Sequence, residues 1–177
     1  MGQLVGDFEV VVSDVDEEPL TGEAPAELAE RLAIEKARAV AKLRPDALVI
    51  GGDTVVAYLD REWHMLAKPA DAEDAARMLM LLANRTHVVI TGVGIVCPSG
   101  ERSFSCSSEV EFGPIEEAAI RAYVATGEPM DKAGGYAIQG GAARWIRAVN
   151  GSKSNVIGLP IEALERELMS IQKETSA

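Results

Sequence analysis

The 177-residue sequence predicts an α/β fold in which a bent mixed sheet is flanked by helices. Three observations carry that prediction. Ala47–Ile50 is wholly apolar, the mark of a strand covered on both faces. Ala26–Leu43 repeats its apolar residues at helical spacing, with Leu28, Leu32, Ala33, Ala37 and Val40 on one stripe. His87–Cys97 and Arg102–Phe112 form a long antiparallel pair joined through Pro98–Glu101. Hairpins and helical crossovers in one chain are what suggest a mixed sheet.

Taken in order, Phe8–Val12 is a short β-branched run and reads as a strand. Asp14–Pro25 is acidic, broken by Pro19, Gly22 and Pro25, and reads as a loop before the first helix. The strand Ala47–Ile50 runs into Gly51-Gly52-Asp53-Thr54 and resumes as Val55–Leu59, followed by a turn at Asp60-Arg61-Glu62 and a return strand to Leu66. Asp71 is placed to N-cap a second helix carrying Ala75, Met78, Leu79 and Leu82. Pro114 opens a third helix, Ile115–Thr126, which Gly127 ends. A glycine-rich stretch, Gly134–Gly141, then leads to a strand around Trp145–Val149. The loop Asn150–Asn155 precedes a last helix from Pro160 to Ile171. Residues 1–177 read as one domain without internal repeats.

Composition narrows the function classes. A 47% hydrophobic and 25% charged chain is that of a folded protein rather than a disordered one. The net charge of −11 leaves no basic surface for displacing counterions from DNA or RNA, so no nucleic-acid partner is expected. No apolar run approaches the ~18 residues that span a membrane, and the N-terminus does not resemble a signal peptide, so the expected location is the cytoplasm. Cys97 and Cys106 have no CxxC spacing and are expected as reduced thiols.

Several polar positions exceed what a simple fold requires. Asp53 follows an apolar strand and two glycines, where ligands of α/β proteins gather; it can hold a cation, orient water, or be a turn aspartate. Lys36 lies four residues from both Leu32 and Val40, on the apolar side of its helix, where it either snorkels or meets a buried anion. Lys68 precedes the stiffening Pro69 and is otherwise a surface lysine. In the segment from Asp131 to Gly140 dense glycine means tight turns or close ligand approach, and Gln139 offers both a donor and an acceptor. The run Val15-Asp16-Glu17-Glu18 reads on its own as solvated charge. His87 leads a strand and reads as structural. No GxSxG, GxGxxG or Walker pattern occurs.

In order, the segments Ser13-Asp14-Val15-Asp16-Glu17, Glu35-Lys36-Ala37, Gly52-Asp53-Thr54-Val55-Val56, Lys68-Pro69, Thr91-Gly92-Val93, Thr126-Gly127-Glu128-Pro129, Asp131–Gly134 with Gln139-Gly140, and Asn155-Val156 resemble the Maf family of nucleotide pyrophosphatases. The resemblance covers nearly the whole chain. It implies a fold like that of inosine-triphosphate pyrophosphatase, with two lobes and a cleft. It also implies cleavage of a nucleoside triphosphate to the monophosphate and pyrophosphate with a divalent cation, Mg²⁺ or Mn²⁺. By matching motif, Asp53 is the implied general base, Glu17 and Asp53 the metal ligands, and Lys36 and Lys68 the cations that neutralise phosphate. Thr54 and Gln139 resemble the branch acting on dTTP and UTP, with modified pyrimidine triphosphates also open. A homodimer is compatible with the sequence. The other reading within the resemblance is a non-catalytic, nucleotide-binding regulator linked to septum formation. Family members carry a strand and a Ser-x-Ser-Pro-Arg-Arg loop ahead of the segment matching Phe8–Val12. Here only Met1–Asp7 stands there, with Gln3–Gly6 reading as the tail of a helix, so that loop is expected to be absent.

Overall fold

In the computed structural model the described residues are 7–175; the reading of residues 3–6 lies outside them. Five strands form one sheet in the order β2-β1-β3-β4-β5. They are β1 (Val49–Leu59), β2 (Trp63–Leu66), β3 (Thr86–Cys97), β4 (Gly100–Phe112) and β5 (Ile146–Asn150). The helices are α1 (Pro25–Ala41), α2 (Ala72–Leu82), α3 (Glu117–Val124), α4 (Lys153–Ile157) and α5 (Ile161–Thr175). The α/β architecture with helices against the sheet is as expected, but every pairing is antiparallel. The mixed character fails for a topological reason. Helix α2 does carry the chain from β2 to β3, yet those strands lie on opposite sides of β1 and never pair with each other.

Three other readings change. Residues 8–12 form no strand; Phe8, Val10 and Val12 are largely exposed. β-Propensity records fit to a pleated, half-buried surface, and this segment has no such surface beneath it. The break expected at Gly51–Thr54 is also missing, since β1 runs unbroken through it and pairs with β3 from Val49 to Ala57. The loop 150–155 contains the start of α4, capped by the Ser152 hydroxyl, which accepts the Asn155 amide at 3.3 Å. The expected cap of α2 is present, with the Asp71 carboxylate accepting the Asp74 amide at 2.8 Å. Cys97 and Cys106 are free thiols on different rungs, opposite Gly100 and Thr91 respectively.

The two sheet faces are packed differently. Helix α1 covers one face, Leu28 and Leu32 meeting Val55 and Ile90, with Val15 of the preceding loop packed beside them. Its backbone lies unusually close to the strands. A Cβ at Gly92 would fall 2.1 Å from the Ala29 carbonyl oxygen, and one at Gly51 2.3 Å from that of Ala33. Gly51 also pairs with Gly94 across β1 and β3, so the glycines form a shallow floor beneath Ala29, Ala33 and Ala37. The other face carries α2, α3 and the glycine-rich segment around Phe112, Tyr123, Tyr136 and Trp145, while Leu164 and Ile171 of α5 close its far end against Val93 and Ile95. At the centre of the aromatic group, buried His87 meets the Tyr136 hydroxyl at 2.7 Å through Nε2. Among the described residues no helix is long and apolar enough to cross a membrane.

Candidate active site at the open edge of the sheet

β2 is short and pairs only with Val56–Leu59, so among the described residues the earlier part of β1 has no strand neighbour on that side. A cleft of about 560 Å³ lies along this open edge, within the size range of small-molecule sites. Because side chains alternate across a strand, Asp53 points to the α1 face and Thr54 to the opposite one. Both line the same cleft, which wraps around the edge. Glu17, Lys68, Lys132 and Tyr136 complete its polar and aromatic walls.

Helix α1 brings the first cation. The tight glycine floor lets Lys36 reach across, and its Nζ stands 2.6 Å from Asp53 Oδ1 and 2.5 Å from Glu17 Oε1. The position on the apolar stripe thus meets two carboxylates, Asp53 largely shielded and Glu17 exposed, rather than snorkelling to solvent. Glu17 is held there by its loop. Arg31 of α1 donates to both oxygens of Glu23, at 2.6 and 2.9 Å, and to the Glu18 carbonyl at 3.1 Å, tying the acidic loop down onto the helix. Lys68 is more exposed and reaches Glu17 Oε2 at 3.8 Å. It follows β2, beside the glycine-rich corner, where the Gly134 amide donates to the Ala67 carbonyl at 3.1 Å. Gly134 and Gly135 both take left-handed backbone, with φ of 70° and 72°, and that double turn folds the corner against Val56.

The electrostatics suit proton transfer at Asp53. Burial pushes its carboxyl above the ordinary range; the hydrogen bond from Lys36 opposes this, and the Glu17 charge adds to the rise. For Lys36 burial disfavours the ammonium, but hydrogen bonds to Asp53 and Glu17 outweigh it and hold the amine charged. Glu17, chiefly through its hydrogen bond from Lys36, stays below the usual carboxylate range. The result is one carboxylate with raised basicity beside a firmly charged ammonium.

Glu17 and Asp53 converge on one point, now marked by Lys36 Nζ, and hard carboxylate oxygens fit Mg²⁺ or Mn²⁺. Among the described residues no group of three or more His, Cys, Asp or Glu stands together. An ion here would therefore complete its shell from phosphate and water, which is the common arrangement for Mg²⁺.

The six residues singled out in the sequence separate into two groups. Glu17, Lys36, Asp53 and Lys68 come together, and Thr54 joins them from the other face of β1. Gln139 lies on an exposed turn at 138–140 and is not among the residues lining the cleft. Two buried partners were not apparent as site residues. The Thr91 hydroxyl meets that of Thr54 at 2.9 Å and donates to the Asn155 carbonyl at 2.9 Å. Asn155, fully buried, donates through Nδ2 to the Val89 carbonyl at 2.9 Å and the Ser108 hydroxyl at 3.0 Å. Both stand in segments that carry the family resemblance, but Thr91 is otherwise only a polar residue in an apolar run and Asn155 the end of a polar loop, and neither has a spacing that marks a role.

The chain also resembles known proteins along most of its length. Residues 1–171 match the family described as Maf-like protein. A dTTP/UTP pyrophosphatase of Geobacillus sp. (strain WCH70) is 43% identical over 161 residues, spanning 91% of this chain and 85% of the relative. One from Bacillus cytotoxicus is 42% identical over 96% of this chain and 87% of its own, and one from Symbiobacterium thermophilum 47% identical over 87% and 78%. With that coverage, and with the Asp53–Lys36–Glu17 cluster built on the expected segments, the chain belongs to the Maf-like protein family.

Proposed function

We propose that this protein is a nucleoside triphosphate pyrophosphatase acting on dTTP and UTP. The observation that carries the reading is the convergence of Lys36, Glu17 and Asp53 at one end of a cleft large enough for a nucleotide. The names of its relatives point to the same reaction and the same substrates. Asp53 takes a proton from water as the water oxygen bonds to the α-phosphorus, and the bond from that phosphorus to the bridging oxygen breaks. The nucleoside monophosphate and pyrophosphate leave. Raised basicity favours Asp53 for this task, since a base works best with a pKa nearer the working pH. Lys36 and Lys68 place positive charge beside the phosphates, where charge and positioning supply most of the rate enhancement in such reactions. A divalent cation held by Glu17 and Asp53 would supply further charge neutralisation at the phosphate oxygens.

The test is turnover of dTTP in H₂¹⁸O with Mg²⁺ or Mn²⁺. The expected products are pyrophosphate and a monophosphate carrying the label. Release of inorganic phosphate instead, or label in the pyrophosphate, would show attack at another phosphorus and remove this assignment.

A further inference from the structure

The hydroxyl of Thr54 has a fixed polarity, and the reason lies one strand away. A threonine hydroxyl has a single proton. Thr91 donates its proton to the Asn155 carbonyl at 2.9 Å, because a carbonyl oxygen can only accept. The Thr54–Thr91 contact, also 2.9 Å, must then use the proton of Thr54. Both protons are committed, and Thr54 faces the cleft with lone pairs only.

The wiring behind this is rigid. Thr91 is fully buried in the centre of β3 and pairs with Thr54 in register. The Asn155 carbonyl also accepts the Gly158 amide at 2.9 Å, which fixes its direction. The Asn155 side chain donates to Val89 and Ser108, and Ser108 passes its own proton to the Ser152 carbonyl at 3.0 Å. Every hydroxyl proton from Ser108 to Thr54 therefore has an assigned acceptor.

We propose that Thr91 is a positioning residue for base selection: by holding Thr54 as an acceptor, it makes the cleft favour a pyrimidine with an imide N–H, uracil or thymine, over cytosine. This rests on the pyrophosphatase reading above. Uracil and thymine carry a donor at N3, whereas cytosine carries an acceptor there. An acceptor-only hydroxyl satisfies the first and faces lone pair to lone pair with the second. A site built on one hydrogen-bond polarity rejects the opposite polarity, because burying unpaired polar groups is costly.

The experiment compares kcat/KM for UTP and CTP in the wild type, Thr91→Val and Thr91→Ser. Valine keeps the shape and removes the hydroxyl, freeing the proton of Thr54 to turn toward the cleft. The wild type is expected to prefer UTP by at least about tenfold, and Thr91→Val to lose about tenfold of that ratio. Thr91→Ser, which keeps the wiring, is expected to retain it. General structural damage would lower both substrates together and leave the ratio unchanged. A wild-type ratio near one, or an unchanged ratio in a folded Thr91→Val, overturns the inference while leaving the pyrophosphatase reading intact. Absence of dTTP and UTP turnover in the wild type removes both. Should Thr91→Val not fold, wild-type turnover of 3-methyluridine triphosphate, which lacks the N3 proton, decides the matter. Turnover equal to that of UTP refutes the proposal, and an at least tenfold loss supports it.

Discussion

The two faces of the sheet position functional groups in opposite ways. On the α1 face a charged side chain is placed by backbone clearance, because glycines at 51, 92 and 94 let the helix settle low enough for Lys36 to bridge Asp53 and Glu17. On the other face a neutral hydroxyl is placed by directed hydrogen bonds through Thr91 and Asn155, within a core of large aromatic and aliphatic side chains. The difference follows from what each group must do. An ammonium between two carboxylates tolerates angular freedom but not displacement, since its energy depends on distance. A hydroxyl that discriminates between donors and acceptors needs its proton fixed. Asp53 and Thr54, adjacent in sequence, sit on either side of that division.

The largest expected effect removes the basic group from the charged face. Asp53→Asn is nearly isosteric and is expected to leave the fold intact while turnover of dTTP falls by about 10²–10⁴. A loss under threefold would mean that Asp53 is not the base.

The next tests the aromatic face. Burial depresses the pKa of His87 from an ordinary 6.5 to about 4, so it is neutral in the folded protein. The unfolded chain takes up a proton near pH 6.5 and the folded protein only near pH 4. Stability contributed by neutral His87 is therefore present above pH 6.5 and lost as the pH falls toward 4, by about 3 kcal/mol. His87→Gln should flatten this part of a urea-denaturation profile; a slope identical to wild type would place the loss elsewhere.

The glycine floor is tested by clearance. Gly92→Ala puts a Cβ 2.1 Å from the Ala29 carbonyl, lifting α1 and carrying Lys36 with it. A cost of roughly 1–3 kcal/mol is expected, together with reduced turnover. Gly52→Ala, whose Cβ would meet nothing nearer than 3.8 Å, is the matched control and should cost below about 0.5 kcal/mol. Equal losses of stability in the two variants would contradict the clearance account.

The smallest effect compares the two lysines. Lys68 is 61% exposed and 3.8 Å from Glu17, so Lys68→Met should change stability by less than about 0.5 kcal/mol. A thermal shift as large as that of Lys36→Met would show that Lys68 is also structural.

Much of this division was legible in the sequence, but unevenly. The stripe of α1 identified Lys36 as a lysine out of place, whereas the separation of Asp53 from Thr54 follows only from the unbroken β1, because the sequence reads as a break there. The floor was less accessible. Gly51 and Gly52 resemble a turn in sequence, and only the packed helix shows that one is a contact surface and the other is open. Thr91 and Asn155 were harder still. Their importance lies in which proton goes where, and that depends on partners 37 and 64 residues away. Phe8–Val12 shows the converse, with strand-like residues in a segment that pairs with no strand.

The most direct test of the account is a nucleotide panel on the wild-type protein, with kcat/KM measured by pyrophosphate release. The account predicts dTTP and UTP as the best substrates, GTP and ATP at least about tenfold poorer, and pyrophosphate as the co-product in each case. Turnover of a purine triphosphate equal to that of UTP, or no pyrophosphate from either pyrimidine nucleotide, would contradict it.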